Sequence, residues 1–354
     1  MIQPQIPWWR TDLGQAEGDR LLQAIEGRCI NQGRLCRELE ERFETTLAVK
    51  HGVTCASGSA ALVLALLACG VKPGDEVIVP AVTFIATAHA VKLIGAKVRL
   101  VDVLPDRPLI DPAAVASVIA PRTRAIIAVH LNGCACEMAA LRSFGIPVIE
   151  DSAQAFCSRG PEGWLGTLGA AGTFSLSIAK LMTTGEGGFL VTNSYETAIA
   201  ARRLRNQGVD AISDNVFAGF GFNFRLTDLQ AAVGLAQFAR LEQKIAAVRK
   251  IYQFYRGSVP GLNLLPVDLD AGEVPLWTQA RFRKRETMIA RLAENGIQAR
   301  PFTPCLADSP HLEASGDFPN ARCFASEVLT LPSGPDQTQA DLERVASTLR
   351  AVLI

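Results

Sequence analysis

The sequence predicts an α/β protein: a large domain on a mostly parallel sheet between helices, followed by a smaller C-terminal α/β lobe. Three observations carry this. Short β-branched runs at 74–80, 97–103, 123–130 and 146–149 alternate with helix-type segments, the pattern of strands joined by helical crossovers. The last of these runs ends on the carboxylate pair Glu150 and Asp151, and ligands collect at the carboxyl ends of strands in open α/β sheets. After Gly257 the texture changes. Pro260, Gly261, Pro266, Gly272 and Pro275 mark irregular segments before two further helices.

Taken in order, residues 1–30 read as an arm and a helix. Pro4, Pro7, Trp8 and Trp9 make an extended start, and 13–25 has the spacing of an amphipathic helix. An aromatic arm of this kind packs either on another subunit or on its own core. Leu39, Phe43 and Leu47 recur at i/i+4 and predict a helix over 36–47. Ser57, Gly58, Ser59 and Ala60 then open an Ala/Leu-rich helix to Cys69. Free backbone N–H groups and the positive end of the helix dipole make such a turn an anion site; an ordinary N-cap is the plainer reading. Residues 83–94 and 111–119 are the next helices. His89 and His130 stand in no catalytic spacing and read as structural, with a site-lining place at a strand end as the alternative for His130. A helix capped by Thr227 is predicted to run towards Tyr255 and link the domains. Helices over 287–295, stopped by Gly296, and over 337–352 complete the chain.

Lys+Arg and Asp+Glu number 35 each among 354 residues. This balance gives no basic stripe for nucleic acid, and a near-neutral surface favours association. The longest apolar run, 60–69, is too short for the ~20 helical residues that span a bilayer. The first residues lack a charged segment followed by an apolar one, so no secretory signal is expected. Nine cysteines, an odd number without an export signal, fit reduced thiols in the cytoplasm. Cys134 and Cys136 lack a second pair at ligand spacing, so no metal is expected. No G-x-G-x-x-G follows a strand, which argues against a dinucleotide fold.

Chemistry concentrates in 148–193. Lys180 lies between apolar Ile178, Ala179, Leu181 and Met182, flanked by Ser175, Ser177, Thr183 and Thr184, and is followed by Gly185, Gly187 and Gly188. A nucleophilic lysine must be partly neutral, which apolar surroundings favour. A pyridine-ring cofactor needs a lysine to form an imine and a carboxylate to keep the ring nitrogen protonated. Lys180 and Asp151 fit those roles; a surface lysine and a buried strand-end acid fit the same residue types.

The whole stretch resembles the DegT-type family of pyridoxal-phosphate (PLP) sugar aminotransferases. The family reads roughly V-I-E-D-A-A-Q-A-H-G, G-T-x-G, F-S-F-x-x-x-K and G-D/E-G-G. This chain matches at Glu150, Asp151, Ala153, Gln154, Ala155, Gly166, Thr167, Gly169, Phe174, Ser175, Lys180 and 185–188. It departs at Phe156, where His is usual, and at Cys157, where Gly is usual. The resemblance implies a fold-type I PLP-dependent transferase, with an arm and large domain over 1–240 and a small domain over 241–354. It implies PLP on Lys180, with its phosphate held by Gly58, Ser59, Ala60 and Ser175, Asp151 at the ring nitrogen, Phe84 over one face and Gln154 at the other. Asn223, within Phe220 to Gly234, would reach the phosphate of the neighbouring subunit, which implies a homodimer with shared sites; Arg225 either meets a carboxylate or steadies the turn. Glutamate is the implied amino donor, and a nucleotide-linked keto-sugar, or a cyclitol ketone, the acceptor. Family dehydratases carry His in place of the lysine, so Lys180 argues against dehydration; a PLP-binding regulator without turnover is the rival from another class. Cys305 and Leu306 replace the family's Pro-Leu-His group, and 275–284 is short for the family's strand.

Overall fold

The computed structural model describes residues 5–210, 217 and 219–353; the start of the expected arm, Pro4 included, lies outside them. Helices α1 (Gln15–Glu26) and α2 (Arg34–Leu47) precede β1 (His51–Cys55). Helices and strands then alternate through α3 (Gly58–Ala68), β2 (Glu76–Pro80), α4 (Ala86–Leu93), β3 (Lys97–Val101), α5 (Pro112–Val118), β4 (Thr123–Val129), α6 (Met138–Arg142) and β5 (Val148–Asp151). A two-stranded flap, β6 (Arg159–Gly160) with β7 (Gly163–Trp164), leads to β8 (Ala171–Ser175) and β9 (Gly188–Thr192). Among the described residues, α7 (Tyr195–Arg205), α8 (Asp228–Phe238) and α9 (Leu241–Ser258) follow. The last part comprises β10 (Thr278–Arg281), α10 (Arg285–Glu294), β11 (Arg300–Pro301), α11 (Pro319–Glu327), β12 (Val328–Leu331) and α12 (Gln339–Leu353).

The main sheet has the order β1-β9-β8-β5-β4-β2-β3. Its pairs are parallel except where β9 runs against both of its neighbours. Ile126, Ile127 and Ala128 of β4 are wholly buried, as expected for strands covered on both faces. Helix α3 is apolar all round and buried from Ala60 to Leu66, which places it in the middle of the domain with its N-terminal turn beside β8 and β9. The second sheet, β10-β12-β11, is antiparallel. Its core joins Ile251 and Tyr255 of α9 to Leu292, Val345 and Leu349.

The arm is shared between cores of its own chain. Ile6 pairs with Ile297 and belongs to the small-lobe core, whereas Trp9 is buried with Leu39, Phe43 and Phe156. Leu265, Phe302, Phe324 and Val328, all beyond residue 240, pack into the main core.

The single helix expected from Thr227 to Tyr255 is instead two. Thr227 does cap α8, accepting from the Gln230 N–H. At Arg240 (φ −111°) the ladder ends in a tight turn, Arg240 N–H to Gln237 C=O at 3.1 Å. The Arg240 guanidinium turns back onto Asp12 (2.7 Å) and Glu17 (2.6 Å), long-range partners that stop the helix. The strand read at 146–149 is displaced to Val148–Asp151; Pro147 has no N–H to give to a ladder. The helices read at 111–119 and 287–295 are recovered to within two residues at each end, as Pro112–Val118 and Arg285–Glu294. No helix among the described residues is long and apolar enough to cross a membrane.

Candidate active site

A cavity of about 620 Å³ opens at the carboxyl ends of β4 and β5, between the main sheet and the small lobe. Asp151 and Lys180 lie on its large-domain side with the first turn of α3, while Trp277, Gln279 and Arg300 face them from the small lobe.

Asp151 is buried, and its Oδ2 accepts from Thr87 Oγ1 at 2.7 Å while its Oδ1 accepts from the Ala153 N–H at 3.2 Å. Thr87 is in turn linked to Thr83 at 3.1 Å. Burial raises the Asp151 pKa; the Thr87 and Ala153 hydrogen bonds and the charge of Lys180 pull the other way. Glu150, next along the strand, points away from the cavity and holds the turn at 166–169 together. It accepts from the backbone N–H groups of Gly166 (2.7 Å), Leu168 (2.7 Å) and Gly169 (2.6 Å). Gly166 (φ +92°) and Gly169 must be glycine here: a Cβ on Gly169 would lie 2.3 Å from the Val148 carbonyl oxygen, and one on Gly166 2.3 Å from Phe174. His130 completes this group at 2.8 Å from Glu150. Burial works against its charge, but Cys136 and Glu150 outweigh it and raise its pKa to about 10. His130 is sealed from solvent and does not line the cavity. Its role is structural, and the site-lining alternative falls. His89 meets His311 at 2.8 Å on the surface.

Lys180 sits in the connection between β8 and β9. Burial lowers its pKa to about 8, against the opposing pull of Asp151 and Glu186. The arm fastens this connection from outside: Trp9 Nε1 and Thr11 Oγ1 both donate to the Ile178 carbonyl, at 3.1 and 3.0 Å. From inside, Thr183 Oγ1 donates to the Leu176 carbonyl at 3.0 Å.

The turn that opens α3, expected to take a phosphate, is built by close approach. A Cβ on Gly58 would meet that of Ser175 at 2.8 Å, and one on Gly188 would meet the Ser57 carbonyl at 2.5 Å. Ser175 and the α3 turn are therefore held against each other at the cavity wall. Ser57, not singled out from the sequence beyond its place at a cap, is the N-cap and accepts from the Ala60 N–H at 3.0 Å. Ala60 is thus engaged and does not line the cavity, whereas Gly58 and Ser59 do. Phe84 is 65% exposed, its ring uncovered at the cavity edge. Gln154 also lines the cavity, its Oε1 accepting from the Asn132 N–H at 2.8 Å. Asn132 (φ +55°) was missed from the sequence. Its side chain binds both the N–H (2.8 Å) and the C=O (2.9 Å) of Trp277 and so fixes the facing wall.

Asn223 is exposed, outside the cavity of its own chain, and accepts from Arg225 Nε at 2.9 Å. Phe156 fills an aromatic cluster with Phe43, Phe174 and Phe189 at centroid distances of 5.5–5.8 Å. The apolar ring leaves the site no imidazole there. Cys157 adopts φ +61°, a left-handed position that suits glycine and costs a side chain about 1–2 kcal/mol.

An amine depressed towards neutrality, a buried acid, open amides at a helix N-terminus and an uncovered aromatic ring surround one space. This donor set fits PLP. Comparison with known proteins agrees. The model of the DegT/DnrJ/EryC1/StrS aminotransferase family matches residues 11–350. The chain belongs to this family. GDP-perosamine synthase of Caulobacter vibrioides is 36% identical, with 99% of each chain covered. The structure of DesV from S. venezuelae, in complex with a ketimine intermediate, superposes with a TM-score of 0.92 at 31% identity, covering 99% of both chains. 3-Amino-5-hydroxybenzoic acid synthase follows with a TM-score of 0.90 at 27% identity, again over 99% of each. As a member of the DegT/DnrJ/EryC1/StrS family the protein is a PLP-dependent aminotransferase with the fold that the sequence predicts.

Proposed function

We propose that this enzyme moves the amino group of glutamate to a keto-sugar carried on a nucleotide, working in the cytoplasm as a homodimer. The observation that carries the reading is the full-length relationship to GDP-perosamine synthase, at 36% identity. The cavity supports it, because it extends past the lysine and the acid to a wall of the small lobe that the cofactor residues do not use. When bound, PLP supplies the electron sink that lets a C–H bond beside nitrogen ionise. Lys180 is the amine that would hold it. Lys180 Nζ, its charge disfavoured by burial, would take a proton from the donor's α-carbon as general base and return it as acid. Asp151, oriented by Thr87, would supply the negative charge that keeps a proton on the ring nitrogen. Gly58, Ser59 and Ser175 would give the phosphate its donors, and Phe84 and Gln154, which line the same cavity, would contact the ring.

Asn223 is proposed to complete the phosphate site of the partner subunit. Its exposure outside its own cavity, beside exposed Phe217 and Phe220, supports this. All nine cysteines are unpaired, in keeping with a reducing compartment. The test is direct. Holoenzyme mixed with glutamate should release 2-oxoglutarate and then aminate one of a panel of nucleotide-linked keto-sugars, read by mass spectrometry. Amination of a free cyclitol ketone alone, with every nucleotide-linked ketone left untouched, would overturn the substrate class. Gel filtration with light scattering tests the dimer, and a monomeric active holoenzyme would refute it.

A further inference from the structure

The small-lobe sheet presents one polar row to the cavity. Gln279 of β10 is in register with Thr330 of β12, and Thr330 with Arg300 of β11. All three line the cavity. Partners in register share a face, so the row crosses two strand spacings, roughly 10 Å. Two of its members, Gln279 and Arg300, keep polar groups that nothing among the described residues engages. Gln279 is 3% exposed, and its Nε2 reaches Thr330 Oγ1 at 3.4 Å, but its Oε1 has no partner among the described residues. Trp277 Nε1, on the same wall, is equally without a partner among them. Arg300 makes no ion pair and no hydrogen bond among the described residues; its guanidinium lies over the Trp8 ring at 4.6 Å. Buried polar atoms are normally paired, so the two orphans point to a ligand that supplies a donor and an acceptor, and the exposed Arg300 guanidinium beside them offers a place for negative charge.

The order along the wall says which part of the ligand goes where. Lys180 Nζ is 5.4 Å from the Trp277 ring, Trp277 meets Trp8 edge-on at 6.0 Å, and Arg300 stacks on Trp8. Two indoles stand between the reacting amine and the free cation. A donor α-carboxylate, one bond from the reacting carbon, belongs at the Lys180 end of this wall, not at Arg300. A sugar diphosphate carries its charge a whole ring away from the carbon that is aminated. A guanidinium over an indole can offer its planar fork to such a group.

We infer that Gln279, Thr330 and Arg300 form the acceptor subsite, with Arg300 on the diphosphate and the free Gln279 oxygen accepting from a sugar hydroxyl. This rests on the nucleotide-sugar reading above and assigns it to residues. The experiment uses the holoenzyme. Calorimetric titration with GDP, TDP and inorganic pyrophosphate measures the diphosphate site. Single-turnover reaction with glutamate measures the donor step, and GDP-perosamine run as amino donor in reverse measures the sugar step. Arg300→Ala should weaken binding of the nucleoside diphosphate that wild type prefers by about 10- to 100-fold, the range of a lost charge-assisted contact. Arg300→Lys should recover part of it, and the glutamate step should stay within about twofold. Gln279→Leu should leave diphosphate binding intact while raising the KM for the sugar nucleotide about tenfold. Unchanged diphosphate binding in Arg300→Ala, with wild type binding well, overturns this assignment alone. Loss of the glutamate step in Arg300→Ala also overturns it, by making Arg300 a donor clamp. Wild type that turns over glutamate but binds none of the three probes and ignores the sugar nucleotide overturns the nucleotide-sugar reading itself.

Discussion

Lys180 carries a measurable cost in the apoenzyme. Its pKa falls from the ordinary 10.5 to about 8 because burial strips water from the ammonium. At ~1.4 kcal/mol for each tenfold in acidity, that drop corresponds to about 3 kcal/mol of stability given up while the amine is charged. The sign follows from proton binding. Between pH 8 and 10.5 the folded chain binds fewer protons than the unfolded one, so stability rises with pH through that window and the cost is complete below it. Lys180→Met removes the charge. The lowering of Lys244 to about 8 is common to both proteins and cancels. Loss of the Lys180 charge raises Asp151 further and tempers the gain. The apo variant should therefore exceed apo wild type by about 2–3 kcal/mol near pH 7, and this gap should shrink by the same amount as pH approaches about 10.5. Urea unfolding of both apo proteins, at one protein concentration across the pH range, reads it. A gap independent of pH, or a wild type that is the more stable near neutrality, would refute the idea that burial tunes this amine.

Thr87→Val removes the 2.7 Å bond to Asp151, so a carboxyl already raised by burial rises further; the acid limb of the pH–rate profile should move to higher pH, and activity near neutrality should fall about tenfold. Glu150→Gln puts an amide where three backbone N–H groups and His130 converge and should cost about 3 kcal/mol, seen as a lower melting temperature. Gly188→Ala places a Cβ 2.5 Å from the Ser57 carbonyl and should shift the α3 turn, weakening PLP uptake by the apoenzyme about tenfold or more. Gly257→Ala, in α9 with nothing within 4 Å of its new Cβ, is the matched control and should leave uptake unchanged.

What was legible in the sequence is what short segments carry by themselves. Asp151 ends a strand and Lys180 follows one, so local pattern and order place them. The glycines of the 166–169 turn were readable as a motif, although their reason, the three N–H groups gathered by Glu150, was not. Contacts across long separations stayed hidden. Thr87 reaches Asp151 from 64 residues away, and Asn132 fixes Trp277 from 145. The break between α8 and α9 is set by Asp12 and Glu17, which no window around Arg240 contains. Phe156 could be read as a departure from the family's histidine, but its destination needed Phe43 and Phe189 brought from both sides.

The segment 6–17 explains how a wall of the small lobe keeps its place against a lysine of the large domain. Ile6 is bridged to Ile297, three residues before Arg300, and is buried in the small-lobe core. Trp8 lies under the Arg300 guanidinium and against Trp277. Trp9 and Thr11 then bind the Ile178 carbonyl, two residues before Lys180. Asp12 and Glu17 anchor the far end at Arg240. One short run of chain thus touches the acceptor wall, the connection that carries the amine and the joint between α8 and α9. A transfer in two half-reactions asks donor and acceptor to present different groups to the same Nζ, with positioning errors of about 1 Å costing on the order of a hundredfold in rate. Fastening both walls to one strip of backbone limits how far they drift apart, and it gives the aromatic N-terminus a reason to be there that composition alone does not supply.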